Sequence, residues 1–207
     1  MMQDFYGGDD YMHIGDNAQE IISAQEVSLP VQLGDLLKGG EMTDVVIQVN
    51  EELFHAHSSI LRARSPVFKE ELSGSVFASR AIMIKDMKTK VFKYLLQYIY
   101  TDTIDGNHGI PSSNLARHLL VAADRYGIKG LRIKCEGKLS KDVSLDSVWS
   151  CFIFAEEHNC SKLKEACFKF ATAGTNLAKL VFTEEYLQFM QNYPDLVAEL
   201  RKRSMLL

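Results

Sequence analysis

The sequence lacks the features that mark several large protein classes. No apolar run reaches the roughly 18 to 20 residues that a membrane-spanning helix needs. The N-terminus has neither the basic patch nor the apolar core of a secretory signal. GxSxG and phosphate-loop motifs are also absent, so no catalytic motif supports an enzymatic function. We therefore expect a non-catalytic protein with no membrane partner and no cofactor, in the cytoplasm, the nucleus or both.

Cysteine pairs of the CxxC type are missing as well, which excludes a zinc ribbon and a thioredoxin-like motif. Free cysteine packs as a small apolar residue, so we predict buried, reduced thiols. All the cysteines lie in the second half of the chain: Cys135, Cys151, Cys160 and Cys167.

Basic residues are missing from the first 30 residues, which hold Asp4, Asp9, Asp10, Asp16, Glu20 and Glu26. The rest of the chain carries 23 basic and 21 acidic residues. Neither part has the one-sided basic face of a nucleic-acid binder, so we expect no nucleic-acid partner. The acidic segment shows no apolar period, and we predict that residues 1–30 form a solvated, disordered leader.

The remaining pattern mixes short strands with helices. The widest apolar helical face is predicted over residues 88–100, and Ser65-Pro66 is typical of a helix start. Beyond Ser140 only helical patterns remain, with Ser144 and Ser161 as predicted N-caps. This order predicts an α+β domain followed by an all-α extension. Segments rich in β-branched residues predict strands at 43–49, 53–57 and 81–84.

Two groups of residues raise a question of chemistry or binding. His55 and His57 alternate along a predicted strand, so both rings are expected on one face. A metal there would need a third ligand, and hydrogen bonds to backbone or to Asp44 are the favoured interpretation; we predict no metal site. A second group, Leu33, Leu36 and Leu37, lies on a helix too short to be stable alone. Either its own domain or a second subunit covers that stripe, and both interpretations stay open.

Several runs of residues resemble a known family. Thr43-Asp44-Val45, Phe54-His55-Ala56-His57 and Ile60 through Phe68 closely resemble the BTB/POZ signature, which Tyr98–Asp102 and Leu119–Tyr126 continue. Ala155-Glu156-Glu157-His158 and Leu163 through Cys167 resemble the segment after the BTB domain in plant-type MATH-BTB proteins, relatives of the speckle-type POZ protein. The resemblance covers about residues 28–205.

The resemblance implies a fold and a function. It implies a BTB/POZ domain over residues 31–140, a short three-stranded sheet flanked by helices, and an all-α BACK-like or three-box region over 141–205. MATH-BTB proteins are substrate adaptors of cullin-3 ubiquitin ligases in which the BTB domain dimerises and docks the cullin. The implied homodimer interface is Leu33, Leu36, Leu37 and Ile60. The implied cullin-binding residues are Phe68, Glu71, Leu72, Ser73, Tyr100 and Tyr126.

The sequence departs from this family at three places. About 30 residues precede the BTB region, too few for a MATH sandwich. The docking element, often apolar-x-Glu, aligns with Glu71-Leu72-Ser73, which leaves open whether cullin binding survives. Ser58 follows the signature histidine where many relatives have a basic residue, so a charged pocket with Asp44 is expected to be incomplete.

Two functions therefore stay open. The first is a substrate-specific adaptor of a cullin-3-type ligase in the ubiquitination pathway. The alternative is a MATH-less BTB protein that pairs with full-length MATH-BTB relatives and dampens them without binding cullin.

Overall fold

The computed structural model describes residues 28–73, 81–104 and 109–205. Residues 1–27 of the predicted leader lie outside the described residues. Within those ranges the chain has the predicted α+β class, a three-stranded sheet among helices followed by helices alone. The strands are β1 (Val45–Val49), β2 (Glu52–Ala56) and β3 (Ile82–Ile84). The helices are α1 (Leu29–Gly39), α2 (Ser58–Arg64), α3 (Pro66–Glu71), α4 (Thr89–Thr101), α5 (Ser113–Tyr126), α6 (Lys129–Lys141), α7 (Val148–Glu157), α8 (Ser161–Thr172), α9 (Asn176–Leu180), α10 (Glu184–Asn192) and α11 (Pro194–Ser204).

The sheet is built around β1, in the order β2-β1-β3. β1 pairs antiparallel with β2 and parallel with β3, so that Ile47 lies opposite both Phe54 and Ile82. In the turn that joins β1 to β2, Asn50 adopts the left-handed conformation, with φ of 55°. Asparagine tolerates this conformation better than most residues. The Asn50 side-chain amide also donates to the Met87 carbonyl at 3.0 Å, which ties this turn to the chain entering α4.

Helix α4 supplies the centre of the first core. Its buried face is wider than the apolar pattern predicted, because Tyr98, Tyr100 and Thr101 are buried along with the aliphatic residues. The helix contacts α1, α2 and α5. Three other helices thus pack on α4 in the first domain, and its tyrosines Tyr98 and Tyr100 act as core residues.

A close-packed junction joins α3 to the end of α5. The Ser65 hydroxyl donates to the Tyr126 carbonyl at 2.6 Å and accepts from the Phe68 N–H at 3.2 Å. The Phe68 and Tyr126 rings stack with centroids 4.7 Å apart. Gly127 ends α5 with φ of 69°, and a Cβ there would lie 2.5 Å from the Pro66 ring. Ser65-Pro66 therefore starts α3, as predicted, and also fixes the α5–α6 corner.

Helix α8 takes its N-terminal cap from α6 and not from a neighbour in sequence. The Glu136 carboxylate, 5% exposed as a residue, accepts from the N–H groups of Lys162 at 2.8 Å and Leu163 at 3.2 Å. The predicted N-cap Ser161 is instead the first helical residue, so that prediction is wrong. A buried carboxylate at a helix N-terminus satisfies free donors and interacts favourably with the helix dipole.

The prediction of Ser144 as a helix N-cap is also wrong. The Ser144 N–H donates to the Ser147 hydroxyl at 3.0 Å within a turn, and α7 begins only at Val148. In the extension, aromatic rings gather around the single tryptophan within the common hydrophobic core. The Trp149 ring lies 4.8 Å from Phe189, and its indole N–H donates to the Thr183 hydroxyl at 3.2 Å.

We expect Glu136→Ala to lower the free energy of unfolding by about 2 to 3 kcal/mol, because two buried N–H groups at the start of α8 lose a charged acceptor. Glu136→Gln keeps one acceptor oxygen and is expected to lose less. Chemical denaturation monitored by circular dichroism measures both. Glu157→Ala, an exposed change in the neighbouring helix, is the control and is expected to stay within about 0.5 kcal/mol. Equal effects of the Glu136→Ala and control changes would contradict the capping role.

Candidate protein-binding surfaces

Helix α1 carries a largely uncovered apolar surface. None of its residues is buried, and Leu29 and Val31 are 65% and 51% exposed. The predicted interface residues Leu33, Leu36 and Leu37 are half-buried. Leu33 and Leu37 pack against the core, whereas Leu36 is not among the side chains that do so. The helix is therefore held by one edge only.

A groove of about 970 Å³, which we call the α1 groove, runs between α1, β2 and α4. Apolar side chains from all three elements line it, with a rim that includes Lys38 and Lys93. Ile60, the fourth predicted interface residue, is half-buried on α2 and packs against the same core. Both α1 and α2 contact α4, so α4 supports the helices that carry all four predicted residues. The apolar residues lining the groove include Val31, Leu37, Leu53, Phe54 and Leu96.

Asp44 and Ser58 form a closed polar pair. The Asp44 carboxylate accepts from the Ser58 N–H at 2.7 Å and from the Ser58 hydroxyl at 2.5 Å. The hydrogen bond from the Ser58 side chain is the main cause that holds the pKa of Asp44 below its usual value. The pocket expected to be incomplete without a basic residue is thus satisfied by the serine itself.

The two histidines do not share a face, which corrects the sequence-based prediction. His55 is exposed on β2, whereas His57 lies beyond the strand end and is buried. The Glu41 carbonyl, 2.8 Å from His57 Nε2, can only accept, so Nε2 carries the proton and Nδ1 accepts from the Tyr100 hydroxyl at 2.8 Å. In the described ranges no group of three or more His, Cys, Asp or Glu residues could hold a metal ion.

Four of the six predicted cullin-binding side chains are buried in the core. Phe68 is 0% exposed and Tyr126 is 1% exposed, because the two rings stack on each other. Leu72 and Tyr100 are also buried. These four residues cannot offer their side chains to a partner in this conformation. Only Glu71 and Ser73, at the C-terminal end of α3, are exposed.

The exposed end of α3 interacts through Glu71 with Arg125, which lines a cleft that the sequence did not indicate. Burial raises the pKa of Glu71, and the nearby Arg125 guanidinium opposes that effect. Arg125 donates in turn to Asp86 at 2.6 Å. Arg125 and Asp86 both line a cleft of about 590 Å³ between the start of α4, α5 and α7. Val121 and Phe154 give this cleft an apolar wall; we call it the α5–α7 cleft.

The cleft escaped sequence reasoning because its walls are far apart in the chain. Arg117 on α5 reaches Ser150 on α7, where its guanidinium donates to the Ser150 carbonyl at 3.1 Å and lies 5.0 Å from the Phe154 ring centroid. The one local signal was Val121, an apolar residue one helical turn from Arg117 that is 43% exposed.

Among the described helices, none is long and apolar enough to cross a membrane.

Comparison with known proteins places these surfaces in a family context. A model of the BTB/POZ domain matches residues 33–143, and a model of the BPM/SPOP BACK domain matches residues 147–201. Two Arabidopsis thaliana relatives, BTB/POZ and MATH domain-containing proteins 3 and 4, are 35% and 38% identical to the chain over 177 and 181 residues. These alignments cover 81% and 82% of this chain but 43% and 38% of the relatives.

A mouse relative also matches most of this chain and only part of its own length. TD and POZ domain-containing protein 4 of Mus musculus is 30% identical over 194 residues, covering 92% of this chain and 51% of that protein. The chain thus spans about half, or less, of the length of these relatives. Among solved structures, the BTB domain of zebrafish PATZ1 is 25% identical, covers 54% of this chain and 87% of that one, and has a TM-score of 0.46.

We expect Ser58→Ala to cost about 1 kcal/mol of stability at pH 7, a modest value because the Asp44 carboxylate is solvent-exposed. A lowered pKa in the folded state stabilises the protein above the unfolded pKa of about 4. That stabilisation is lost as the pH falls through the lower, folded-state pKa. The difference between variant and unmodified protein is therefore expected to shrink at pH 3. Thermal unfolding at both pH values measures it, with Ser59→Ala as the control; a difference independent of pH would contradict the role of the carboxylate.

Proposed function

This chain belongs to the BTB/POZ family, and from that premise we propose that it is a substrate-specific adaptor of a cullin-3-type ubiquitin ligase, acting in protein ubiquitination by binding alone. The chain is of the BTB–BACK adaptor type related to MATH-BTB proteins, a family that is generally non-catalytic. BTB domains mediate protein–protein interaction and dimerisation. The proposal assigns the chain to the cytoplasm, the nucleus or both.

One observation carries the proposal: the described residues form two separate surface concavities, each of which could hold a partner. The α1 groove and the α5–α7 cleft share no lining residue. They engage different parts of α4, with Leu96 and Gln97 at the groove and Val91 and the N-cap Lys88 at the cleft. An adaptor that joins a second subunit to a ligase needs two such surfaces at once.

The α1 groove suits a second copy of this chain. Dimer interfaces are more apolar than the average protein surface, and α1 exposes Leu29 and Val31 beside the half-buried leucines. A two-fold axis would use the same patch on both copies, so one apolar helix serves twice. The proposed contact residues are Leu33, Leu36, Leu37 and Ile60, of which Leu37 lines the groove itself.

We expect the triple change Leu33→Asp, Leu36→Asp and Ile60→Asp to give monomers, because each carboxylate would have to lose water at an apolar interface. Size-exclusion chromatography with light scattering at micromolar concentration measures the mass. Leu36→Asp alone tests the same point if the triple variant unfolds, since Leu36 does not pack against the core. Ile133→Asp, at an exposed site on α6, is the control and is expected to remain dimeric. Unmodified protein that is monomeric at this concentration would refute the dimer.

The exposed end of α3 and the α5–α7 cleft together form the proposed cullin surface. Phe68, Leu72, Tyr100 and Tyr126 are proposed to act from the core by holding α3 and α5 in place. Glu71 and Ser73 are proposed to touch the cullin directly. Glu71 is a poor contact for an apolar partner, because its carboxylate already resists burial. We therefore propose weakened rather than absent cullin binding.

We expect Glu71→Met combined with Ser73→Glu to tighten cullin binding by about 1 to 2 kcal/mol, a typical contribution of one apolar anchor. That change corresponds to roughly 5- to 30-fold in Kd. Titration calorimetry with the N-terminal domain of a cullin-3 measures it. Glu70→Met, which adds the same side chain at the neighbouring exposed position, is the control and is expected to leave Kd unchanged. Equal gains from both variants, or no gain from either, would contradict the assigned docking position.

The exposed Glu71 and Ser73 also favour a second function in which the chain pairs with MATH-BTB relatives and dampens them without binding cullin. A self-complementary interface accepts a relative that carries the same patch. A mixed dimer would lose one arm of a bivalent assembly, and avidity could fall by roughly 10². The calorimetric titration separates the two functions: binding by unmodified protein supports the adaptor. Lack of binding, together with mixed dimers recovered on co-expression with a MATH-BTB relative, supports the second.

A further inference from the structure

The α5–α7 cleft combines positive charge with an apolar wall. Among the described residues that line it, three are cationic, Lys88, Arg117 and Arg125, and one is acidic, Asp86. Arg125 and Asp86 pair with each other, which leaves the charges of Lys88 and Arg117. The apolar wall consists of Met87, Val91, Val121, Ala122 and Phe154. A partner that fits this cleft must supply both negative charge and apolar surface.

Lys88 is held at the cleft by a neutral histidine. Lys88 Nζ lies 3.1 Å from His118 Nε2. His118 Nδ1 lies 2.8 Å from the Asn114 carbonyl, which can only accept, so Nδ1 carries the proton and Nε2 accepts from the ammonium. This contact orients the ammonium without neutralising its charge.

Arg117 likewise lacks a carboxylate partner among the described residues. Its Nη2 donates to the Ser150 hydroxyl at 3.1 Å and lies 3.2 Å from the Cys151 sulfur, and its Nη1 donates to the Ser150 carbonyl. Among the ion pairs of the described segments, none involves Lys88 or Arg117. The cleft therefore offers two positive charges with which the carboxylates of a partner can pair.

Two other concavities of the described residues lack this combination. At the α1 groove both rim lysines are already paired. Lys38 Nζ lies 3.5 Å from Asp35 Oδ1, and Lys93 Nζ lies 3.7 Å from Glu52 Oε1. A third concavity of about 540 Å³, between α2 and α3, is basic, but the described residues that line it include no aromatic or large aliphatic side chain. We therefore expect an acidic and apolar partner at the α5–α7 cleft in preference to these two.

The leader of this chain has the complementary chemistry. Carboxylates lie beside aromatic residues in Asp4-Phe5-Tyr6 and again in Asp9-Asp10-Tyr11-Met12, and residues 1–27 hold no Lys or Arg. Met12 is 16 positions before Ser28, the first described residue. A chain of 16 residues spans up to about 55 Å, more than three times the radius of gyration of roughly 16 Å expected for a compact fold of this size. Residues 4–12 can therefore reach the cleft.

We propose that residues 4–12 bind the α5–α7 cleft of their own chain, with carboxylates against Lys88 and Arg117 and an aromatic ring against Val121. The contact depends on charge and on single rings, so it needs no amphipathic helix, in keeping with the lack of an apolar period in the leader. Because the leader is tethered, its effective concentration at the cleft is roughly millimolar, and a weak contact is populated.

The contact has a consequence for the proposed cullin surface, of which the cleft is a part. A leader seated in the cleft competes with the cullin and so acts as an autoinhibitory segment. This consequence rests on the proposed function, whereas the contact itself does not.

Zero-length cross-linking tests the contact in the whole 207-residue chain. A carbodiimide joins a carboxylate to an amine that touches it, with loss of one water, and peptide mass spectrometry maps the pair. We expect a carboxylate within residues 4–10 to be joined to Lys88. These pairs are expected to fall several-fold at about 0.5 M salt, where the Debye length is roughly 4 Å.

Two results of the cross-linking would overturn the proposal. The first is a leader that reaches only the lysines of the other two concavities, Lys38, Lys93 and Lys69, or that forms no cross-links. The second comes from an equal mixture of 15N-labelled and unlabelled protein. Lys88 pairs formed mainly between unlike copies would assign the leader to a partner copy instead of its own chain.

Charge-neutral variants give a second readout that does not depend on cross-linking chemistry. Since the leader is expected to cover Lys88, the double change Asp9→Asn and Asp10→Asn is expected to speed acetylation of Lys88 by an active ester ~3-fold or more, the size expected when two exposed ion pairs are lost. Glu20→Gln with Glu26→Gln removes the same charge nearer to α1 and is the matched control, expected to leave the rate unchanged. Equal rates in the two double variants would refute the contact.

Titration with the N-terminal domain of a cullin-3 separates this inference from the proposed function. Tighter cullin binding by ~3-fold or more in the Asp9→Asn, Asp10→Asn variant, and not in the control, supports competition by the leader. Cross-links to Lys88 without any cullin binding would support the contact and refute the adaptor function instead. Equal cullin binding by both double variants, without cross-links to Lys88, would refute the contact and leave the adaptor function standing.

Discussion

The junction between Ser65 and Tyr126 is the constraint on which the first domain depends. One hydroxyl caps the start of α3 and also binds the last carbonyl of α5. The Phe68–Tyr126 stack lies directly beneath it. Since a Cβ at residue 127 would collide with Pro66, the corner between α5 and α6 closes only with glycine. The junction thus fixes the orientation of α3 relative to α5. It thereby also sets the position of the exposed C-terminal end of α3.

In this arrangement the residues that position the end of α3 are different from the residues exposed there. The aromatic residues near α3 and α5 are almost fully buried, and they determine where the surface lies without forming it. The proposed cullin surface consists of polar and charged groups such as Glu71, Ser73 and Arg125. Such a surface can change its partner preference through a few exposed substitutions while the core remains unchanged, because core and surface residues are different sets.

Local patterns predicted the fold well and the site less well. The β-branched runs found all three strands, and Ser65-Pro66 found the start of α3, because those signals depend on neighbours in sequence. The direction of an aromatic side chain is a different matter. Phe68, Tyr100 and Tyr126 are placed by packing against distant elements, so helical spacing could not distinguish a contact residue from a core residue. The cap of α8 by Glu136 and the contact of Arg117 with Cys151 likewise join residues 26 and 34 positions apart.

The carboxylate of Glu136 also has a consequence for the order of folding. Helix α8 lacks a side-chain cap of its own, and its acceptor belongs to α6. During synthesis α6 leaves the ribosome first, so the acceptor can be in place before the donors emerge. The acceptor on α6 can thus help to start α8, because initiating a helix is its costly step. If α8 formed before α6, it would have to nucleate without the Glu136 acceptor.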